Sequence, residues 1–380
     1  MRDAASRAAA LRTALLCALL ALASSARLQP RIGRSRAITP KPTPPTPTGA
    51  LEANALRVCA AGWAAIETAQ YLDPEAGSRG IVTSVFGLAQ ATFEDNIREP
   101  AAGFLSLTAP LVGLQAVLLL CLASSAALGV RAEDVSRLGT AQTLTSVFVL
   151  GTLGFAIATG MDVADPLVVG AVGALAGVTA LVSSRSIGAV DDPSGLIKSD
   201  LAELVDLEKE SAEPQLANFY RGSTLTGILV GSAFFFSPVS PIALFDAEAP
   251  ATHMFRQDLG VYIVLLLCPV QAFLFRAARD GALGETFTRT VNTVTGIAIA
   301  ALVLDGREQV DAGNRLFQAL EPDSPLRALI MSGDVSRPQA NTTAAFSVGF
   351  AVALVYLFQA AFRSAPPPSS AAPTRGRGRS

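Results

Sequence analysis

Between residues 234 and 262 the sequence FFFSPVSPIALFDAEAPATHMFRQDLGVY gathers much of the chemistry-bearing side chain content of an otherwise apolar chain. Pro238 and Pro241 remove two backbone donors near the end of an apolar run, and the freed carbonyls must find neighbours or water. Broken helices of this kind line binding sites in transporters. Asp246, Glu248, the only histidine His253, Arg256, Gln257 and Asp258 follow closely. One reading is a polar mouth in which Arg256 recognises an anion or head group while Asp258 holds the guanidinium. The plainer reading is a Pro-containing loop and a helix N-terminus where Asp258 complements the macrodipole. Gln271 and Asn292 lie in the next two apolar runs, and Cys268-Pro269 should kink the first of them. The candidate substrate-binding set is therefore Pro238, Pro241, Arg256, Asp258, Gln271 and Asn292, around a pocket bounded by the fourth, fifth and sixth runs.

No catalytic or metal-ligating set accompanies these residues. His253 has no Gly-x-Ser-x-Gly beside it, and the chain has no Gly-rich phosphate loop, no paired Asp motif and no HExxH. Cys17, Cys59, Cys121 and Cys268 make no CxxC or Cys/His spacing. The expectation is a protein that is not an enzyme and carries no cofactor or metal. A net charge of -2 without aromatic and basic interleaving argues against nucleic acid.

The elements that must hold these residues are seven nearly uncharged runs: 103–130, 140–160, 166–184, 222–245, 259–275, 290–304 and 341–362. Most reach or approach the ~20 apolar residues needed to cross a bilayer, and they lack the polar face of a soluble helix. Two weaker helical stretches, 51–72 and 80–93, precede them, the first interrupted by Arg57 and Glu67, so the count is seven or eight spans. The fold class expected is all-α, a polytopic membrane helix bundle over residues 51–363, with membrane lipid as its surroundings. Gln115, Thr143, Thr145 and Gln359 inside the runs are expected to bond between helices. No run has a carboxylate near its middle, which argues against proton coupling through an embedded acid.

Between the third and fourth runs, Leu196, Ile197, Leu201, Leu204, Val205 and Leu207 fall at helical spacing, with Asp200, Glu203, Asp206 and Glu210 on the other faces. An amphipathic helix over about 194–210 is expected, on the membrane or against neighbouring loops; as an alternative, its acidic face docks a membrane-protein partner. Arg131, Arg137, Arg185, Lys198, Lys209, Arg221, Arg276, Arg279, Arg289 and the basic tail 364–380 fall on one side of the seven-run topology. The C-terminus is accordingly expected on the untranslocated, stromal or cytosolic side.

Arg2, Arg7 and Arg12 precede an apolar stretch ending in Ser24-Ser25-Ala26, the pattern of a signal peptide over residues 1–26. Residues 27–50 are rich in Arg, Pro and Thr and free of acids, as in transit peptides; an ordinary Pro-rich disordered segment is the alternative. The two together resemble the bipartite leader of proteins imported into complex plastids, although Arg27 stands where such leaders often carry an aromatic residue. That resemblance implies a plastid membrane, thylakoid or envelope; without it, an endomembrane or the cell surface is implied.

GLQAVLLLC at residues 113–121 is echoed by GVYIVLLLC at 260–268. Each is followed by a charged turn, Leu-Gly and another apolar run, which suggests two four-helix repeats in parallel orientation. A transporter or permease of a small neutral or anionic metabolite is the function expected. The alternative is a structural, assembly, pigment-binding or lipid-binding subunit of a membrane complex.

Overall fold

The computed structural model describes residues 50–72, 100–158, 166–206, 211–236, 250–319 and 341–362, and among them every regular element is helical. In chain order they are α1 (Ala50–Leu72), α2 (Pro100–Leu128), α3 (Ala132–Ala158), α4 (Pro166–Ile187), α5 (Pro193–Val205), α6 (Pro214–Phe236), α7 (Pro250–Val261), a π-helical turn (Tyr262–Leu267), α8 (Cys268–Arg279), α9 (Thr286–Ala319) and α10 (Asn341–Phe362). The leader, the tail after Phe362 and the stretch 80–93 lie outside the described residues.

Four helical segments are long and apolar enough to cross a bilayer: Leu107–Leu128, Gly170–Ile187, Arg256–Arg279 and Thr286–Arg307, with Phe346–Phe362 a shorter apolar helix. The run at 140–160 falls in α3, whose first turns carry Glu133, Asp134 and Arg137; the run at 222–245 is described only as far as Phe236. The bundle wears its apolar residues outward. Leu229 is 71% exposed, Val348 64% and Leu181 63%, whereas Gln115, Thr145 and Thr295 are fully buried. In water such a surface would be a liability, while in lipid it is the expected one.

α2 and the continuous rod α7–π–α8 occupy the centre. Leu111, Leu114, Leu118 and Leu119 of α2 and Leu266, Val270 and Leu274 of the rod are buried. α1 packs on α2 and α6 on the rod; α3 pairs with α4 and α9 with α10; α2 also meets α9, and the rod meets α3. α2 ends at Gly129, with φ 65°, where the Val130 amide donates to the Ser125 carbonyl at 3.0 Å. The rod ends in the same way at Gly281, φ 70°, where the Ala282 amide donates to the Ala277 carbonyl at 2.7 Å. Both are left-handed glycine caps that give the last carbonyls a donor. The kink expected at Cys268-Pro269 takes the form of the π-helical turn ending at Leu267. Pro269 offers no amide to the preceding turn, and a widened turn accommodates the missing bond.

The amphipathic helix α5 is shorter than expected, ending at Val205, while residues 207–210 lie outside the described set. Asp192 caps it by accepting from the Gly195 amide at 2.8 Å, and Pro193 opens the first turn. Its acids face the bundle. Asp200 meets Arg137 at 2.7 Å and Arg276 at 2.6 Å, and Glu203 meets Arg276 at 2.6 Å and also Arg279. Ile197, Leu201 and Val205 are left exposed on the outward side. Asp200 and Glu203 are thus paired with the chain's own arginines.

Candidate functional site

Of the six residues singled out from sequence, Pro238 and Pro241 lie outside the described residues. The other four do not form one site. Arg256 and Asp258 stand at the start of the rod and Gln271 near its end, 13 residues and roughly 20 Å beyond Asp258 at the rise of a helix. Asp258 accepts from the Thr152 hydroxyl of α3 at 2.9 Å, and no ion pair joins it to Arg256 among the described residues. The expected clamp of Asp258 on Arg256 is replaced by a tie between the rod and α3, because a threonine one helix away reaches the carboxylate.

Gln271 and Asn292 do share a neighbourhood. Gln271 Nε2 donates to Ser223 Oγ at 2.8 Å, Tyr356 OH to the same oxygen at 3.1 Å, and Tyr220 OH to Asn292 Oδ1 at 3.0 Å. The Tyr220 and Tyr356 rings pack edge to face with centroids 5.1 Å apart, and Phe219 stands against both. Both tyrosines are fully buried, with Asn292 and Gln271 almost so. The two amides therefore act as interhelical ties among α6, α8, α9 and α10, although Gln271 Oε1 lacks a partner.

A second polar cluster lies where the two central elements meet. Gln115 of α2 donates through Nε2 to Ser146 Oγ of α3 at 3.2 Å, and its Oε1 accepts from Tyr262 OH at 3.2 Å. Gln142 of α3 donates to the Gln115 carbonyl at 3.4 Å, while its Oε1 is buried without a partner. All four side chains are buried. Tyr262 is the first residue of the π-helical turn, and Asp258, bonded to Thr152, lies one helical turn before it. Side chains from α2, α3 and the rod thus converge in an apolar interior and hydrogen-bond one another, with Gln142 Oε1 left as an open acceptor.

The sequence carries one signal for this cluster. Gln115 and Tyr262 are the third residues of GLQAVLLLC and GVYIVLLLC, the same place in the two echoing segments. Ser146 and Gln142 had no such marker, since one hydroxyl or amide in an apolar helix resembles any other. Among the described residues no three His, Cys, Asp or Glu side chains converge as metal ligands would.

Glu67 requires a correction. Read from sequence as an interruption in a weak helix, it is buried at 5% exposure against Gly113 of the strongest span. The seven runs have no carboxylate near their middles, but Glu67 enters the apolar interior from the neighbouring helix α1. Compared with known proteins, the chain matches no family model, no characterised protein and no solved structure.

Proposed function

We propose that this chain is a multi-pass organellar membrane protein of seven or eight spans, built from two four-helix repeats, that passes a small neutral or anionic metabolite along the junction between its halves. The observation carrying this reading is the Tyr262–Gln115 hydrogen bond at 3.2 Å. When two repeats are related by a two-fold axis, a residue that touches its own counterpart lies on that axis. Gln115 and Tyr262 are such counterparts in the sequence echo. The paired packing supports the same scheme: α1 on α2 with α6 on the rod, α3 on α4 with α9 on α10, and matching glycine caps after α2 and after α8. Transporters with repeats commonly bind substrate at the repeat interface, on helices with interrupted geometry. The π-helical turn starting at Tyr262 is such an interruption.

The leader's resemblance to plastid import signals makes a plastid membrane the compartment of choice, with the C-terminus stromal or cytosolic by the distribution of basic residues. Reconstituted into proteoliposomes, the protein should carry flux for at least one metabolite of a broad panel. Gln115→Ala and Tyr262→Phe should lower that flux at least tenfold, while Gln359→Ala, outside the cluster, should not. No flux across the panel, or flux indifferent to Gln115, would reject the transport reading. Secretion of a fluorescent fusion of residues 1 to 60 would reject the plastid.

A second reading, an assembly, pigment-binding or lipid-binding subunit, is favoured by a different observation. An apolar groove runs along α10, lined by Leu354, Leu357, Phe358, Ala361 and Phe362. Copurification of a stoichiometric apolar ligand or subunit, together with absent flux, would decide for it.

A further inference from the structure

We infer that Glu67 is a proton-binding site, a carboxyl held as the neutral acid inside the bundle and open to titration when its surroundings admit water. The inference does not rest on the transport reading.

Glu67 is 95% buried by its 5% exposure, and Oε1 has no hydrogen-bond partner. A Cβ placed on Gly113 would stand 2.2 Å from Oε1 and 2.4 Å from Oε2, so the carboxyl lies directly on the bare backbone of α2. No cation faces it among the described side chains. α2 has no charged residue, and its one titratable group, Cys121, is two helical turns beyond Gly113. α4 contributes only Arg185, which pairs with Glu52 at 2.8 Å. Glu52 is at the opposite end of α1, 15 residues and about 22 Å from Glu67. Arg57 on α1 is exposed and bonds Asn54, and Cys59 is two turns before Glu67. An ionised carboxylate without counter-ion or donors in apolar surroundings takes up a proton instead. One carboxyl and no other oxygen donors fit a proton and not a metal ion, which needs several ligands.

Packing alone does not call for an acid here. Glu67 stands five residues before the end of a 23-residue helix, and Gly231 stands at the same place in α6, also of 23 residues. Gly231 meets Gly260, where a Cβ would stand 2.5 Å from the Gly231 carbonyl oxygen. Gly260 and Gly113 open the two echoing segments. One half therefore closes this contact with glycine on glycine, and the other lays a carboxyl over the glycine.

Dicyclohexylcarbodiimide tests this, because it partitions into apolar regions and reacts with a protonated carboxyl. The acid's proton goes to a carbodiimide nitrogen, the oxygen adds to the central carbon, and the adduct rearranges to an N-acylurea with no leaving group. The full chain in lipid nanodiscs, treated at a series of pH values and mapped by peptide mass spectrometry, should show an adduct on Glu67 at neutral pH. Its rate should fall on the order of tenfold per unit once pH exceeds the group's own pKa. Infrared spectra of wild-type protein should show a protonated-carboxyl C=O band at neutral pH that weakens on the same curve. Glu67→Gln should lose both adduct and band, and Glu67→Gly, copying Gly231, should fold and lose both. No adduct on Glu67 at any pH, a labelling rate flat with pH, or a wild-type spectrum without that band would each overturn the inference; the spectrum needs no variant to fold.

Discussion

Asp200 and Glu203 on α5 meet three guanidinium groups, whereas Glu67 on α1 meets a glycine. Arg137 and Arg276 lie against Asp200, and Arg276 and Arg279 against Glu203, in the C-terminal half of a loop helix. Glu67 is withdrawn from bulk water and the α5 acids largely so, and withdrawal is costly for a charge in either place. The α5 acids meet the cost with opposite charges in close geometry and serve as mechanical anchors. Glu67 has no such partner and meets it by giving up charge. A carboxyl that is anchored can hold a helix in place but cannot readily change state, while a solitary one contributes little anchorage and remains able to exchange a proton.

The largest effect is expected at the anchored end. Asp200→Ala strips Arg137 and Arg276 of a shared acceptor, and removing one partner of a buried pair costs about 3 to 5 kcal/mol. A drop of several degrees in thermal unfolding in nanodiscs is the expected result. Glu67→Gln keeps the shape of a neutral acid and should change stability by no more than ~1 kcal/mol. If the two variants cost the same, Glu67 is ionised and the contrast is broken.

Gly113→Ala should cost about 1 to 3 kcal/mol, the usual penalty for overfilling a packed contact, since its Cβ would fall on the Glu67 carboxyl. In a Glu67→Gly background the same change should be nearly free. A double-mutant cycle should thus return a coupling on the order of 1 kcal/mol or more. Coupling near zero would mean that the carboxyl of Glu67 does not lie over Gly113.

This pair marks where the sequence was legible and where it was not. The uncharged stretches made a helical membrane bundle readable, since the periodicity and length of an apolar run are local properties. The amphipathic helix α5 was readable for the same reason. Which face of α5 turns inward was not, because that depends on Arg137, Arg276 and Arg279, which are 63 to 76 residues away along the chain from the acids they meet. Arg256 and Asp258 look like a clamp in sequence, yet Thr152, 106 residues away, takes the carboxylate. Gln271 and Asn292 look like a binding pair in sequence, yet tyrosines from α6 and α10 draw them into the packing. Glu67 read as a flaw in a weak helix only because Gly113, the residue that accepts it, belongs to another run.

Tyr262→Phe deletes one hydroxyl from the central cluster and leaves its ring in place. Interhelical hydrogen bonds in membranes contribute about 0.6 kcal/mol on average and at most ~1.7, so the stability loss should be small. A loss well above that range would assign the Gln115–Tyr262 contact to structural support and weaken its use as the junction of a substrate path. A small loss with a large fall in flux would sharpen that use.

The smallest effect lies at the start of α5, in the cap that precedes the anchors. The Gly195 amide, then the Ser194 hydroxyl, hold the Asp192 carboxyl below the usual aspartate range. A carboxyl whose folded pKa is depressed supports the fold above its unfolded pKa and loses that support as pH falls through the folded value. The cap should therefore be intact at neutral pH and released only in acid below the ordinary aspartate range. Hydrogen exchange at the Gly195 amide should speed up in that acidic window after correction for intrinsic rates, and Asp192→Ala should show the faster exchange already at neutral pH. The α5 anchors should keep the rest of the helix protected in both cases, because Asp200 and Glu203 are held from the far end. If Asp192→Ala instead unprotected the whole of α5, the helix would depend on its cap and not on its arginine contacts, and the contrast with Glu67 would lose its anchored side.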